Sequence, residues 1–292
     1  MNSEVEISLR IEKIRHIFQA AQAFAESVDD QYKIVAYCNN KEPEFRSVAF
    51  EAAAMTLAAR DIAEGPGLTR WTQFASGPAK AHTSQAHAAL GWALAQQRIT
   101  DLSLLEGFDP MLLSRVMDGH GYYDGIFRQR RSVGNQEIPD HISDQLLKGY
   151  DQGVGRSLWY SSRGSIEKLL SSLAAFPPYR HQDLWRGVGV ASAYVGGCNE
   201  DDLYDLAASA GICRSQLAIG ALFVASARHT AQAPTPDADL ACQVWCHCSA
   251  QEAAQILQNL SQSDTFTRST SYPDWLQELE AQLPTNQHAS NL

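Results

Sequence analysis

Apolar residues recur at helical spacing along most of the chain. Between residues 8 and 28, Leu9, Ile11, Ile14, Ile17, Phe18, Ala21 and Phe24 fall on one face of a helix. Residues 44–64, "EFRSVAFEAAAMTLAARDIAE", are alanine-rich and stop before "GPG". The same spacing predicts helices at 84–98, 111–117, 143–149, 165–175, 183–195, 201–209, 215–231 and 250–262. Strand-like alternation is nearly absent. "YKIVAYC" (32–38) is the one segment that reads as a strand, and it also fits a continued helix. Helix starts carry suitable chemistry. Ser165 is placed to cap "IEKLL", Ser249 and Glu252 have capping-box spacing, and Asn199 precedes three acids.

The expected fold is therefore all-α: a single globular helical domain of packed helical hairpins. An internal echo suggests two related halves. "FEAAAMTLAARD" (50–61) resembles "WRGVGVASAYVG" (185–196), and 76–98 resembles 209–228. Residues 1–40 form an N-terminal helical segment, 41–262 the helical core domain, and 263–292 a polar C-terminal tail. That tail holds one amphipathic piece around Trp275–Leu283, and its last ten residues read as disordered. Proline-bearing connections are expected at 134–141 and 231–239.

Charge narrows the picture. The chain has 292 residues and a formal net charge of −10, which argues against a nonspecific nucleic-acid binder. The longest strongly apolar run, "LAIGALFVASA" (217–227), is shorter than the roughly 20 residues of a membrane span. No basic tip followed by an apolar block opens the sequence, so a cytoplasmic protein is expected. Six scattered cysteines fit free thiols in a reducing compartment.

Candidate chemistry gathers at two glycine-rich stretches, "DGHGYYDGIF" (118–127) and "DQGVGRSLWY" (151–160). They read as two corners. Asp118, Asp124 and Asp151 are candidates for proton transfer or for holding a cation, with Arg156 as a pairing or substrate-orienting cation. The same acids also suit turns, where Asp satisfies backbone N–H groups. Aromatic residues flank both stretches. Tyr122, Tyr123, Trp159, Tyr160, Trp185 and Tyr194 could line a pocket for an apolar chain and stabilise a developing cation, or simply fill the core.

Other motifs are weaker. "DDLYD" has the form of the DDxxD motif of isoprenoid synthases. Asp201, Asp202 and Asp205 would then hold Mg²⁺ and a diphosphate, although acids are expected in a first helical turn anyway. "CQVWCHC" offers Cys242, Cys246, His247 and Cys248, but adjacent residues fit one tetrahedral zinc ion poorly. The histidines, among them His82, His87, His120 and His141, form no H-x-x-x-H or H-E-x-x-H pattern. "GVGVAS" (187–192) lacks the strand a dinucleotide fingerprint needs; its small residues suit close helix packing.

"YDQGVGRSLWY" (150–160), "FPPYRHQDLWRGVGVASAYVGG" (176–197) and "AGICRSQLAIGALFVASARHTA" (210–231) together resemble the bacterial DUF1702 family. The resemblance covers roughly residues 40–260. It implies secondary metabolism, because family members are often described as enediyne biosynthesis proteins. It carries over no catalytic residues. The chain departs from the family's usual pattern in two places: Glu51 is followed by Ala52 rather than glycine, and Tyr122 and Tyr123 stand where Phe and His are common.

Two functions are expected from these readings. One is a cyclase or isomerase acting on a polyene or isoprenoid chain in an aromatic-lined pocket, cofactor-independent or assisted by Mg²⁺. The other is a non-catalytic binding or scaffold protein of an enediyne-type pathway, holding an intermediate or docking on a polyketide synthase.

Overall fold

The computed structural model describes residues 3–65, 67–262 and 271–283. Among them are fourteen α-helices and no strand, as the apolar spacing predicts. In chain order these are α1 (Ser3–Ser27), α2 (Gln31–Asn39), α3 (Pro43–Glu64), α4 (Thr69–Ser76), α5 (Thr83–Gln96), α6 (Pro110–Phe127) and α7 (Asp144–Ser162). They continue with α8 (Ile166–Ala174), α9 (His181–Val195), α10 (Glu200–Ala210), α11 (Arg214–Thr230), α12 (Pro236–Cys246), α13 (Ala250–Gln262) and α14 (Tyr272–Ala281).

The candidate strand at 32–38 is helix α2. Asp30 caps it by accepting from the Tyr32 and Lys33 backbone N–H groups, and Ile34 and Cys38, one turn apart, are buried. Local alternation of Val, Ile and Tyr does not survive against a cap and a helical face. In the C-terminal segment, the amphipathic piece is α14. It buries Tyr272, Trp275, Leu276 and Leu279 against the body. Nearly all of the expected disordered end, residues 284–292, lies outside the described residues.

Six helices form the frame. Each packs on the next in the series α3, α5, α6, α7, α9 and α11, while α1 packs along α3. The two glycine stretches are not corners. "DGHG" sits inside α6 and "QGVG" inside α7. Glycine normally weakens a helix interior by about 1 kcal/mol. Here it lets backbones touch. A Cβ on Gly119 would lie 1.7 Å from the Ala88 carbonyl oxygen of α5, and one on Gly153 would lie 1.9 Å from that of Asp118. Gly187 of α9 is set the same way against the Gln152 carbonyl of α7, at 1.9 Å.

These seams share one register. Asp118, Gln152 and Arg186 are spaced 34 residues apart, each followed by a G-x-G step, and they bond to one another in series. Gln152 Nε2 donates to Asp118 Oδ2 at 2.5 Å, and Arg186 Nε donates to Gln152 Oε1 at 2.8 Å. The chain of bonds runs on through Gln216, which accepts from Arg186 and donates to Glu280. Helices α6, α7 and α9 thus share a 34-residue register.

One stretch, Glu200–Thr230, has the length and composition to cross a membrane, but 61% of its apolar window is buried inside the protein. It is also two helices, α10 and α11, which turn at Gly211 with φ of +54°.

Candidate functional site

The repeated register builds a cavity. Four and eight residues beyond the bonded positions 118, 152 and 186 lie Tyr122 and Ile126, Arg156 and Tyr160, Val190 and Tyr194. Such steps keep side chains on one face of a helix. All six line a cavity of about 680 Å³, completed by side chains of α1, α3, α5 and α11. The volume falls within the roughly 300–1,000 Å³ usual for small-molecule sites. Helix α1 covers one side with Ile11, Ile14 and Phe18. It is tied down by Arg163, which donates to Ser8 and Glu12, and by Arg10, which pairs with Asp237.

The walls are largely aromatic and aliphatic. Trp92 stacks on Phe18 with ring centres 4.9 Å apart and tilts against Tyr122 at 5.3 Å. Tyr122 meets Tyr160 edge-on at 5.3 Å. Burial raises the Tyr122, Tyr160 and Tyr194 hydroxyls above the ordinary tyrosine range, so they are neutral donors at physiological pH.

Charge inside the cavity is sparse and specific. Asp118 Oδ1 accepts from Arg156 Nη1 at 2.6 Å, and the Arg156 guanidinium lies 4.9 Å from the Tyr122 ring centre. Burial works against the Arg156 charge, but Asp118 and Glu51 outweigh it and hold the group firmly protonated. Glu51, on α3, also lines the cavity. Burial pushes its carboxyl up to about 7; Arg156 pulls it down and Asp118 pushes it further up. At neutral pH it is therefore poised to give or take a proton. Arg115, one turn before Asp118 on α6, lies over the Phe223 ring at 3.9 Å.

The three candidate acids do not converge. Asp118 faces the cavity. Asp124 faces a second cavity of about 660 Å³, where it accepts from Tyr150 and Arg128. His120 Nδ1 lies 3.5 Å from Asp124 Oδ2, and His120 Nε2 lies 3.3 Å from His141 Nε2. Burial opposes the Asp124 charge, yet His120, Arg128 and Tyr150 together lower its pKa. Asp151 lines neither cavity. It is fully buried in a two-pronged pair with Arg180, which also donates to the Gln136 carbonyl. That pair fastens the 134–141 connection and the start of α9 onto α7. Asp151 thus ties these segments together and does not reach either cavity.

The other candidates divide in the same way. Tyr122, Tyr160, Tyr194 and Arg156 line the main cavity. Tyr123 instead packs against Phe127, Trp92 and Arg128. Trp159 and Trp185 are core residues, 0% and 4% exposed. Asp201, Asp202 and Asp205 form no ligand set. Asp202 closes a capping box with Asn199, its neighbours are exposed, and no group of three His, Cys, Asp or Glu among the described residues could share an ion. Cys242 and Cys246 are buried with their thiols on carbonyls of α11.

Glu51, Arg115 and Trp92 were not among the candidates. Glu51 is a single acid in the apolar run "VAFEAAAMTL", and Arg115 is a single base between "MLLS" and "VM". An isolated charge on a buried helix face was the available signal.

A family model described as "Protein of unknown function (DUF1702)" matches residues 1–283. It reaches beyond the 40–260 resemblance and takes in α1 and α14. No curated protein and no solved structure matches the chain.

Proposed function

The chain belongs to the DUF1702 family, and from the chemistry of its cavity we propose that it is an isomerase or cyclase of an apolar polyene or isoprenoid chain, acting by proton transfer through Glu51. The observation that carries this reading is the placement of the Glu51 carboxyl beside the Asp118–Arg156 pair in a mostly apolar, aromatic-walled cavity of about 680 Å³, where burial pushes it up to about 7. A general acid or base works best when its pKa lies near the working pH. The expected setting in secondary metabolism, of polyketide or enediyne type, would supply such chains.

The proton balance closes on one residue. In the protonated form, the Glu51 O–H bond breaks and a C–H bond forms at one end of an alkene, using its π electrons. The resulting cation either shifts its double bond or is attacked by a second alkene of the same chain. Loss of a proton from a neighbouring carbon to the Glu51 carboxylate then restores the acid. The product is an isomer of the substrate. The π faces of Trp92, Tyr122 and Tyr160 would stabilise the positive charge between these steps. Asp118 and Arg156 neutralise each other and set the field at Glu51.

The test is incubation with polyene and prenyl diphosphate substrates, with and without Mg²⁺, and product analysis by mass spectrometry. Wild-type protein should give a product of unchanged mass and altered retention. Glu51→Gln should still bind the chain and convert it about 10²–10⁴-fold more slowly, the usual worth of a positioned acid or base. Binding without conversion by wild-type protein would favour the non-catalytic carrier instead.

A further inference from the structure

Arg115 is a cation without an anion. It lines the main cavity, and burial lowers its pKa below the ordinary arginine range. Among the described residues no carboxylate lies within ion-pair distance of it, and no hydrogen bond fixes its guanidinium. Its guanidinium lies over the Phe223 ring at 3.9 Å, and the Tyr272 hydroxyl and Asp118 are close enough to favour its charge without bonding to it.

The other arginines of this cavity are partnered. Arg156 bonds to Asp118, and Arg163 and Arg15 both bond to Glu12. Asp118 is the nearest acid on the same helix, but Arg156 takes one of its oxygens and Gln152 the other. Arg115 is half-buried, and a guanidinium with donors facing a cavity and no anion on them is suited to receive one.

Position along α6 gives the ligand a direction. Arg115, Asp118, Tyr122, Ile126 and Phe127 follow one another along the cavity wall. Phe127 is 59% exposed and, with Arg15 and Gln19, marks the mouth. The twelve residues from Arg115 to Phe127 span about 18 Å of helix. The lining between them is mainly aromatic and aliphatic.

We propose that Arg115 receives the anionic head group of a long apolar ligand, with the tail running along Tyr122 and Ile126 toward Phe127. This rests on the reading of the cavity as the substrate site. The shared chemistry is an acyl or prenyl chain ending in a carboxylate or a diphosphate. With the head at Arg115, Glu51 and the Asp118–Arg156 pair face the carbons near the head rather than the tail.

Three ligands of one chain length test this: the prenyl diphosphate, the corresponding carboxylate and the corresponding alcohol. Each is titrated into the full-length protein by calorimetry. Wild type should bind at least one anion ten-fold or more tighter than the alcohol, and the better anion identifies the head group. Arg115→Met should erase that preference by weakening the anion and leaving the alcohol unchanged. Arg115→Lys should restore most of it, which separates a charge role from a folding defect. An unchanged anion-to-alcohol ratio in Arg115→Met would overturn the proposal and leave the cavity reading standing. Failure of all three chains to bind wild type would overturn both.

Discussion

Glu51 offers a test of the cavity's electrostatics that needs no substrate. Its carboxyl rises from an ordinary 4.5 to about 7 on folding, chiefly because burial disfavours the charge. The folded state therefore binds the proton more tightly than the unfolded chain. Stability from this group is fully present below about 4.5 and is lost as pH rises through 7. Each pKa unit corresponds to 1.36 kcal/mol, so the upper limit is about 3 kcal/mol. Glu51 faces a cavity rather than solid core, and water there reduces the expected effect to about 1–3 kcal/mol. Glu51→Gln replaces the acid by a neutral group of the same shape. Urea unfolding of both proteins at pH 5 and pH 8.5 reads this residue and its coupled neighbours, because groups that do not interact with Glu51 cancel in the difference. At pH 5, where the unfolded carboxyl is already mostly ionised, the variant should lead by less than about 1 kcal/mol. At pH 8.5 the variant should be the more stable by about 1–3 kcal/mol. A difference that does not change with pH would refute the raised pKa and with it the acid–base role.

Gly153→Ala should destabilise the protein by at least about 3 kcal/mol in thermal unfolding, because the new methyl would meet a backbone oxygen that cannot yield. Gly67→Ala, with open space around it and no positive φ, should be tolerated in the same assay. Arg180→Met should cost about 3–5 kcal/mol by stranding the Asp151 charge, while leaving the affinity of the refolded protein for chain ligands unchanged. Asp201→Asn with Asp205→Asn should leave conversion and its Mg²⁺ response within about two-fold of wild type, since these side chains lie on an exposed helix start.

Helix content was legible because apolar spacing is a local signal, and α3, α5 and α11 follow it closely. The glycine stretches mislead for the same reason. A G-x-G inside one helix looks like a break until the partner backbone is present, and only the 34-residue recurrence of Asp118, Gln152 and Arg186 hints at that partner. Helix geometry separates two of the three acids. Asp118 and Asp124 lie six residues apart, which places them roughly 120° apart around α6. The same rule sends Tyr160 to the cavity and its neighbour Trp159 to the core. Glu51 and Arg115 carry no motif. Their meaning comes from what burial does to a charge on an apolar face, and that requires knowing that α3 and α6 face one cavity.

Proton transfer between Glu51 and a bound chain is most directly tested by running the conversion in D₂O. Mass spectrometry of the product from wild-type protein should show deuterium on a carbon of the shifted or cyclised segment, and Glu51→Gln should show binding without incorporation. A wild-type product free of deuterium, or equal incorporation by Glu51→Gln, would contradict the account.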